Sequence, residues 1–213
     1  WLVQMNLQSK FKKYSKIPTG NGMTGADVAL KMLHDNGIYD VTVTHTPGHL
    51  TDHYNPSAKT LNLSDSVYNS TSVAAVGVAA HECGHAIQHQ NSYFPLTLRT
   101  AIVPVANLGS TLAWPLILIG LFFTRNTGAV LINLGIICFS FAVIFQLVTL
   151  PVEFNASARA LRILGEQGIL SDSELPYTKK VLKAAALTYV ASAAAAILQL
   201  LRLVLLFGGR DRD

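Results

Sequence analysis

The chain has 213 residues, half of them hydrophobic and only 13% charged, about half the charge of an ordinary soluble domain. The net charge of +4 is not organised as a basic stripe interleaved with aromatics, which argues against nucleic acid as a partner. Cys83 and Cys138 are too few for a disulfide framework. All seven histidines precede residue 90, and Arg125 is the sole charge between Ala101 and Val152. Polar chemistry is therefore expected in the N-terminal part.

In chain order, Trp1–Leu7 reads as the tail of a longer apolar segment, followed by a basic stretch and a Gly-rich turn. TGADVALKMLHDNG predicts a helix with Thr24 as N-cap and Gly37 as stop. DVTVTH (40–45) and KTLNLS (59–64) alternate like strands, with polar loop LTDHYNP between them. A helix is expected over about 71–89, capped by Asn69 or Ser70.

Ala101–Phe123 and Ala129–Leu150 are uncharged runs of 23 and 22 residues. Each exceeds the roughly 20 residues a helix needs to cross a bilayer core. TRNTG (124–128) is the turn between them, and Pro104 and Pro115 are expected to kink the first. Residues 151–183 form polar, cytoplasmic helices, beginning with VEFNASARALRILGEQG. Residues 184–207 form a further transmembrane helix or an interfacial one, and 208–213 a tail.

The fold class expected is a mainly α integral membrane protein: a helical bundle with a small α+β zincin-like part, residues 1–99, on the cytoplasmic side. Side follows from charge. Lys10, Lys12, Lys13, Lys16, Arg99, Arg159, Arg162, Lys179, Lys180 and Lys183 flank one end of the 100–150 hairpin. Arg125, Arg210 and Arg212 lie at the other, and the positive-inside rule assigns the richer end to the cytoplasm. The localisation expected is a multi-pass protein of the cell membrane.

The stretch AAHECGHAIQHQ (79–90) carries the chemistry. In H-E-x-x-H, His81 and His85 lie one helical turn apart on one face and can bind one zinc ion. Glu82 lies close enough to take a proton from a water on that ion. The apolar flanks VAAVGVAA and AI bury the helix, where unpaired histidines would be costly. His89 lies too far along the axis to share the ion. Glu153 is the candidate third ligand. It is the first acidic residue after His85, and the returning hairpin carries it back to the histidines.

HECGHAIQH, two intervening spans and LPVEFNASARAL resemble the YugP-type neutral zinc metallopeptidases, membrane gluzincins distantly similar to HtpX and the CAAX-prenyl endopeptidases. GHLTDHYNP, LSDSVYNS, VPVANLGS and ALTYVASA extend the resemblance over nearly the whole chain. It implies Zn2+ held by His81, His85 and Glu153, Glu82 as base, and a further span upstream of Trp1. Better-known gluzincins carry, four residues after the glutamate ligand, an aspartate that orients a ligand histidine; Ser157 stands there, and a hydroxyl makes that bond more weakly.

KTLNLS is expected either as an edge strand that pairs with substrate or as an ordinary strand of the fold. His45, His49 and His53 also repeat at four, but Pro47 and Gly48 break any helix between them. His53 or Tyr54 is expected to donate to the oxyanion of the scissile carbonyl, with His53 taken as the catalytic candidate. Asp52 is read as a loop cap and Cys83 as helix packing.

The function expected is a membrane-embedded zinc metalloendopeptidase acting on peptides or membrane proteins at the cytoplasmic bilayer surface, with membrane-protein quality control as its expected setting. The alternative is a non-catalytic, zinc-stabilised membrane scaffold. Regulatory partners and oligomeric state leave no mark in the sequence.

Overall fold

The structure is a computed structural model that describes residues 1–123 and 125–207. Thr124 of the expected turn, and the tail 208–213 with Arg210 and Arg212, lie outside the described residues, as does the side chain of Arg125. The elements run α1 (Leu2–Tyr14), α2 (Gly25–Asp35), β1 (Thr42–Thr46), β2 (His53–Asn55), β3 (Thr60–Ser64), α3 (Val73–Gln90), α4 (Phe94–Phe122), α5 (Arg125–Glu166) and α6 (Leu175–Phe207). The chain is mostly helical. It forms two compact units, one from Trp1–Tyr93 with Val152–Thr188, the other from Phe94–Pro151 with Tyr189 onward.

In the first unit, local sequence sets the helix ends. Thr24 accepts from the Asp27 amide while Asp27 accepts from the Thr24 amide, a reciprocal cap that contributes about 1 kcal/mol. Gly37 takes the left-handed turn, φ 72°, that stops α2. α3 is capped by Ser72, whose hydroxyl accepts from the Ala75 amide, three residues beyond the expected Asn69 and two beyond Ser70. The hydroxyl of Ser70 instead pairs with that of Ser72. Val28, Met32 and Leu33 of α2, Leu61 and Leu63 of β3, Val76, Ala79 and Ala80 of α3, and Leu164 of α5 are wholly buried in one core. The small residues of α3 let its neighbours approach closely.

The sheet has the order β1-β3-β2. β1 runs parallel to β3 in the register Thr42↔Thr60, and β2 antiparallel to it in the register His53↔Asn62. This departs from expectation at β2 and decides between the two readings of KTLNLS. LTDHYNP is not all loop, since its His53-Tyr54 pair opens β2. KTLNLS is the inner strand, paired with β1 along Thr60–Ser64 and with β2 along Thr60–Asn62, as an ordinary strand of the fold, and the edges of the sheet belong to β1 and β2.

α5 also departs from expectation, because it runs unbroken through Pro151 and begins at Arg125. Asn126–Gly128 are therefore helical rather than part of the turn. A proline inside a helix removes one amide donor, a loss that long apolar helices absorb.

The second unit holds α4, the first part of α5 and the last part of α6. The three helices are each long and apolar enough to cross a membrane. Pro104 and Pro115 lie inside α4 without ending it. A Cβ on Gly109 would collide with the Cys138 carbonyl oxygen, and one on Gly135 would meet the Ala113 carbonyl oxygen at 2.8 Å. Glycines at these positions let α4 and α5 pack backbone to backbone, as small residues do between helices in lipid. Leu108, Leu118, Phe122, Val130 and Ile137 point outward and are exposed, the reverse of a soluble surface.

Candidate metal centre

α3 sets His81 and His85 one turn apart, their rings edge to face with centroids 4.8 Å apart. α5 supplies Glu153, whose side chain is 4% exposed. Its Oε2 lies 3.2 Å from His81 Nε2 and 3.7 Å from His85 Nε2. One donor atom from each of the three residues lies within 4.8 Å of the others. Gly84 permits this approach, because a Cβ there would sit 2.6 Å from the Ala156 carbonyl oxygen.

The remaining imidazole nitrogens are also engaged. His81 Nδ1 lies 3.0 Å from the Ser157 hydroxyl, and His85 Nδ1 lies 3.0 Å from Gln88 Oε1. Gln88 Nε2 donates to the Val152 carbonyl at 2.8 Å and to Asn155 Oδ1 at 3.0 Å, and Arg159 Nε donates to the same Asn155 oxygen at 2.7 Å. Burial opposes a charge on His85, but Glu153, Glu82 and Gln88 outweigh it and raise the proton affinity of the ring above that of a free imidazole. A buried carboxylate facing two Nε2 atoms thus calls for positive charge between them. Two imidazoles and a carboxylate are a donor set that zinc takes, with a position left open. The residues fit the ion.

Glu82 is buried, and its Oε2 accepts from the Tyr54 amide at 3.0 Å. The base candidate is therefore held against β2. The Tyr54 hydroxyl meets His89 Nδ1 at 3.1 Å, so the Tyr54 side chain lies toward α3. Burial, then the charge of Asp40, raises the Tyr54 phenol above its ordinary range, which keeps it protonated. His53, next along the strand, is exposed, and its Nδ1 lies 2.8 Å from the Thr51 carbonyl oxygen. Side chains alternate along a strand, so His53 and Tyr54 point to opposite faces.

Asp52 accepts from the Ser64 amide at 2.7 Å and from its hydroxyl at 2.9 Å. Burial, less these bonds, pushes its carboxyl up, with Glu82 adding to the rise. His45 of β1 pairs with Asp65, and His49 in the loop beyond it packs edge-on against Phe11, so these histidines serve separate contacts. The Cys83 thiol is buried against the Ala29 carbonyl and its pKa is pushed up, chiefly by burial. Gln88 and Asn155 belong to no motif that the sequence displays. The one signal was an amide three residues after His85 in a helix otherwise apolar enough to be buried.

Three helices able to cross a membrane and a set of two half-buried histidines on a buried glutamate define a candidate membrane metalloprotein. Residues 1–208 match the family model described as "Putative neutral zinc metallopeptidase", and the chain belongs to that family. Over 212 residues it is 49% identical to the Bacillus subtilis (strain 168) protein named "Putative membrane protease YugP", covering 99% of this chain and 93% of that one. No solved structure matches it.

Proposed function

We propose that the protein is a zinc metalloendopeptidase of the gluzincin type, embedded in the cell membrane by several spans, with its active site facing the cytoplasm. The observation that carries this reading is the convergence of His81, His85 and Glu153 on one point, with Glu82 beside them on the same helix. Family membership and the name of the Bacillus relative support it. His81, His85 and Glu153 would hold a zinc ion, which would supply Lewis acidity toward water and the peptide carbonyl.

The chain's own groups do the rest. Glu82, drawn from the Tyr54 amide, takes the proton of the attacking water and passes it to the departing amine. Once Glu82 is drawn from the Tyr54 amide, the edge of β2 beside α3 offers backbone groups to an extended peptide. For the carbonyl oxygen, His53 and Tyr54 are the two donors in competition. Of the two we favour the phenol of Tyr54, whose side chain lies toward α3 and meets His89 there. Glu153 follows Leu150 by three residues, about one helical turn, which favours membrane proteins or membrane-proximal peptides as substrates. The lysine and arginine distribution supports the cytoplasmic orientation.

Metal analysis of the purified full chain, with peptide cleavage by wild type and Glu82→Gln, tests the reading. Stoichiometric zinc in both proteins and cleavage only by wild type is the expected result. Loss of zinc from Glu82→Gln, or no cleavage by wild type, would favour a zinc-stabilised scaffold.

A further inference from the structure

We infer that Gln88 is a positioning residue that fixes which nitrogen of His85 carries the proton, and that Asn155 and Arg159 in turn fix Gln88. The inference rests on the zinc reading above. It concerns a group that touches neither substrate nor the reacting atoms.

The chain of constraint begins at Arg159. A guanidinium only donates, so the Asn155 atom 2.7 Å from Arg159 Nε is the oxygen, Oδ1. Gln88 also approaches that oxygen, at 3.0 Å, and the Val152 carbonyl oxygen, at 2.8 Å. Both are acceptors, so the Gln88 group facing them is its NH2. Turning the amide over would set oxygen against two oxygens at a site with 0% exposure, where an unmet polar group is costly. Gln88 Oε1 is thereby left toward His85 Nδ1, at 3.0 Å. A carbonyl oxygen only accepts, so Nδ1 carries the hydrogen and the lone pair sits on Nε2, the atom facing Glu153.

His81 lacks this constraint. Its Nδ1 partner is the Ser157 hydroxyl at 3.0 Å, which can donate or accept. Serine holds the ring in place without choosing its tautomer. The two ligands are thus unequal: His85 is set in advance as a ligand through Nε2, and His81 is free to adapt.

Outer partners of ligand histidines typically control about 10–100-fold in metal affinity. The experiment measures zinc affinity of the full chain in detergent by competition with a chromophoric chelator, and the Co2+ absorption spectrum, for wild type, Gln88→Met, Gln88→Glu and Asn155→Leu. Gln88→Met keeps volume and removes the acceptor, and should weaken zinc by at least about tenfold. Gln88→Glu keeps an oxygen toward Nδ1, and as a neutral acid still has one O–H for Val152 or Asn155. It should stay within about threefold of wild type with an unchanged Co2+ spectrum. Asn155→Leu should fall between them, and reads the same chain of bonds if Gln88→Met fails to fold.

Wild-type affinity in Gln88→Met, or in Asn155→Leu should Gln88→Met not fold, overturns the inference. So does a Gln88→Glu protein as weak as Gln88→Met, since that pattern marks a role in packing alone. A wild type that binds neither zinc nor Co2+ would instead overturn the zinc reading itself.

Discussion

The Cβ that Gly84 lacks would lie 2.6 Å from the carbonyl oxygen of Ala156 and 3.0 Å from its Cα. Both are backbone atoms and cannot turn aside as a side chain tip can. Gly84→Ala should therefore push α5 from α3 and separate Glu153 from the histidines. We expect a stability loss of about 1–3 kcal/mol and at least about tenfold weaker zinc binding. Thermal unfolding and chelator competition would show both; a protein with normal affinity would contradict the geometry.

Ser157→Ala removes the partner of His81 Nδ1. Zinc affinity should fall by about tenfold, and Ser157→Asp should restore it, since a carboxylate accepts from the same nitrogen. Because Gln88 decides the protonated nitrogen and Ser157 does not, Gln88→Met should weaken zinc more than Ser157→Ala. The order of the two affinities is the test.

Removing the metal should cost stability. A ligand that binds only the folded chain stabilises it by about 2.7 kcal/mol at one hundred times its dissociation constant. Chelator should lower the melting temperature of wild type and leave Glu153→Ala unmoved, because that chain would start without the ion. An equal drop in both would place the metal elsewhere.

Asp52 gives a pH dependence. Its folded pKa is raised, mainly by burial, so the folded state holds this proton more tightly than the unfolded state. The stabilisation is fully present below the ordinary carboxylate range and is lost as pH rises through the elevated value. Asp52→Asn keeps an acceptor for Ser64 and removes the titration. Over that window the melting temperature of the variant should fall less steeply with pH than that of wild type. Both are measured after metal removal, so that pH-dependent metal loss does not contribute and the ligand side chains are common to the two proteins; parallel slopes would show that Asp52 does not titrate there.

Tyr54→Phe and His53→Phe separate the two oxyanion candidates. Tyr54→Phe should lower kcat by about a hundredfold with zinc content unchanged, and His53→Phe by less than about twofold. Full turnover in both would leave the carbonyl oxygen without either donor.

The pair on α3 was legible because two histidines four residues apart in an apolar helix are costly to bury without an ion to hold. Glu153 was legible from connectivity, since two uncharged runs joined by a few residues bring the chain back. β2 was not. His53-Tyr54-Asn55 has no alternation to display, and it is a strand because β3 pairs with one side and the Tyr54 amide meets Glu82. The unbroken course of α5 was hidden by Pro151, a residue that usually marks a boundary. Gln88 was hidden because an amide between His85 and His89 looks like an ordinary polar position until its burial is known.

Within Val152–Arg159, α5 carries a carboxylate that faces His81 and His85, a carbonyl and an amide that hold Gln88, a hydroxyl for His81 and the backbone against which Gly84 rests. These are consecutive turns of one spiral, so they share a single phase. Adding or deleting one residue between Glu153 and Ser157 would turn the groups on either side of it by about 100° relative to one another and dismantle the centre at a stroke. An exchange of side chain in this short segment alters one contact; a change of length alters several at once.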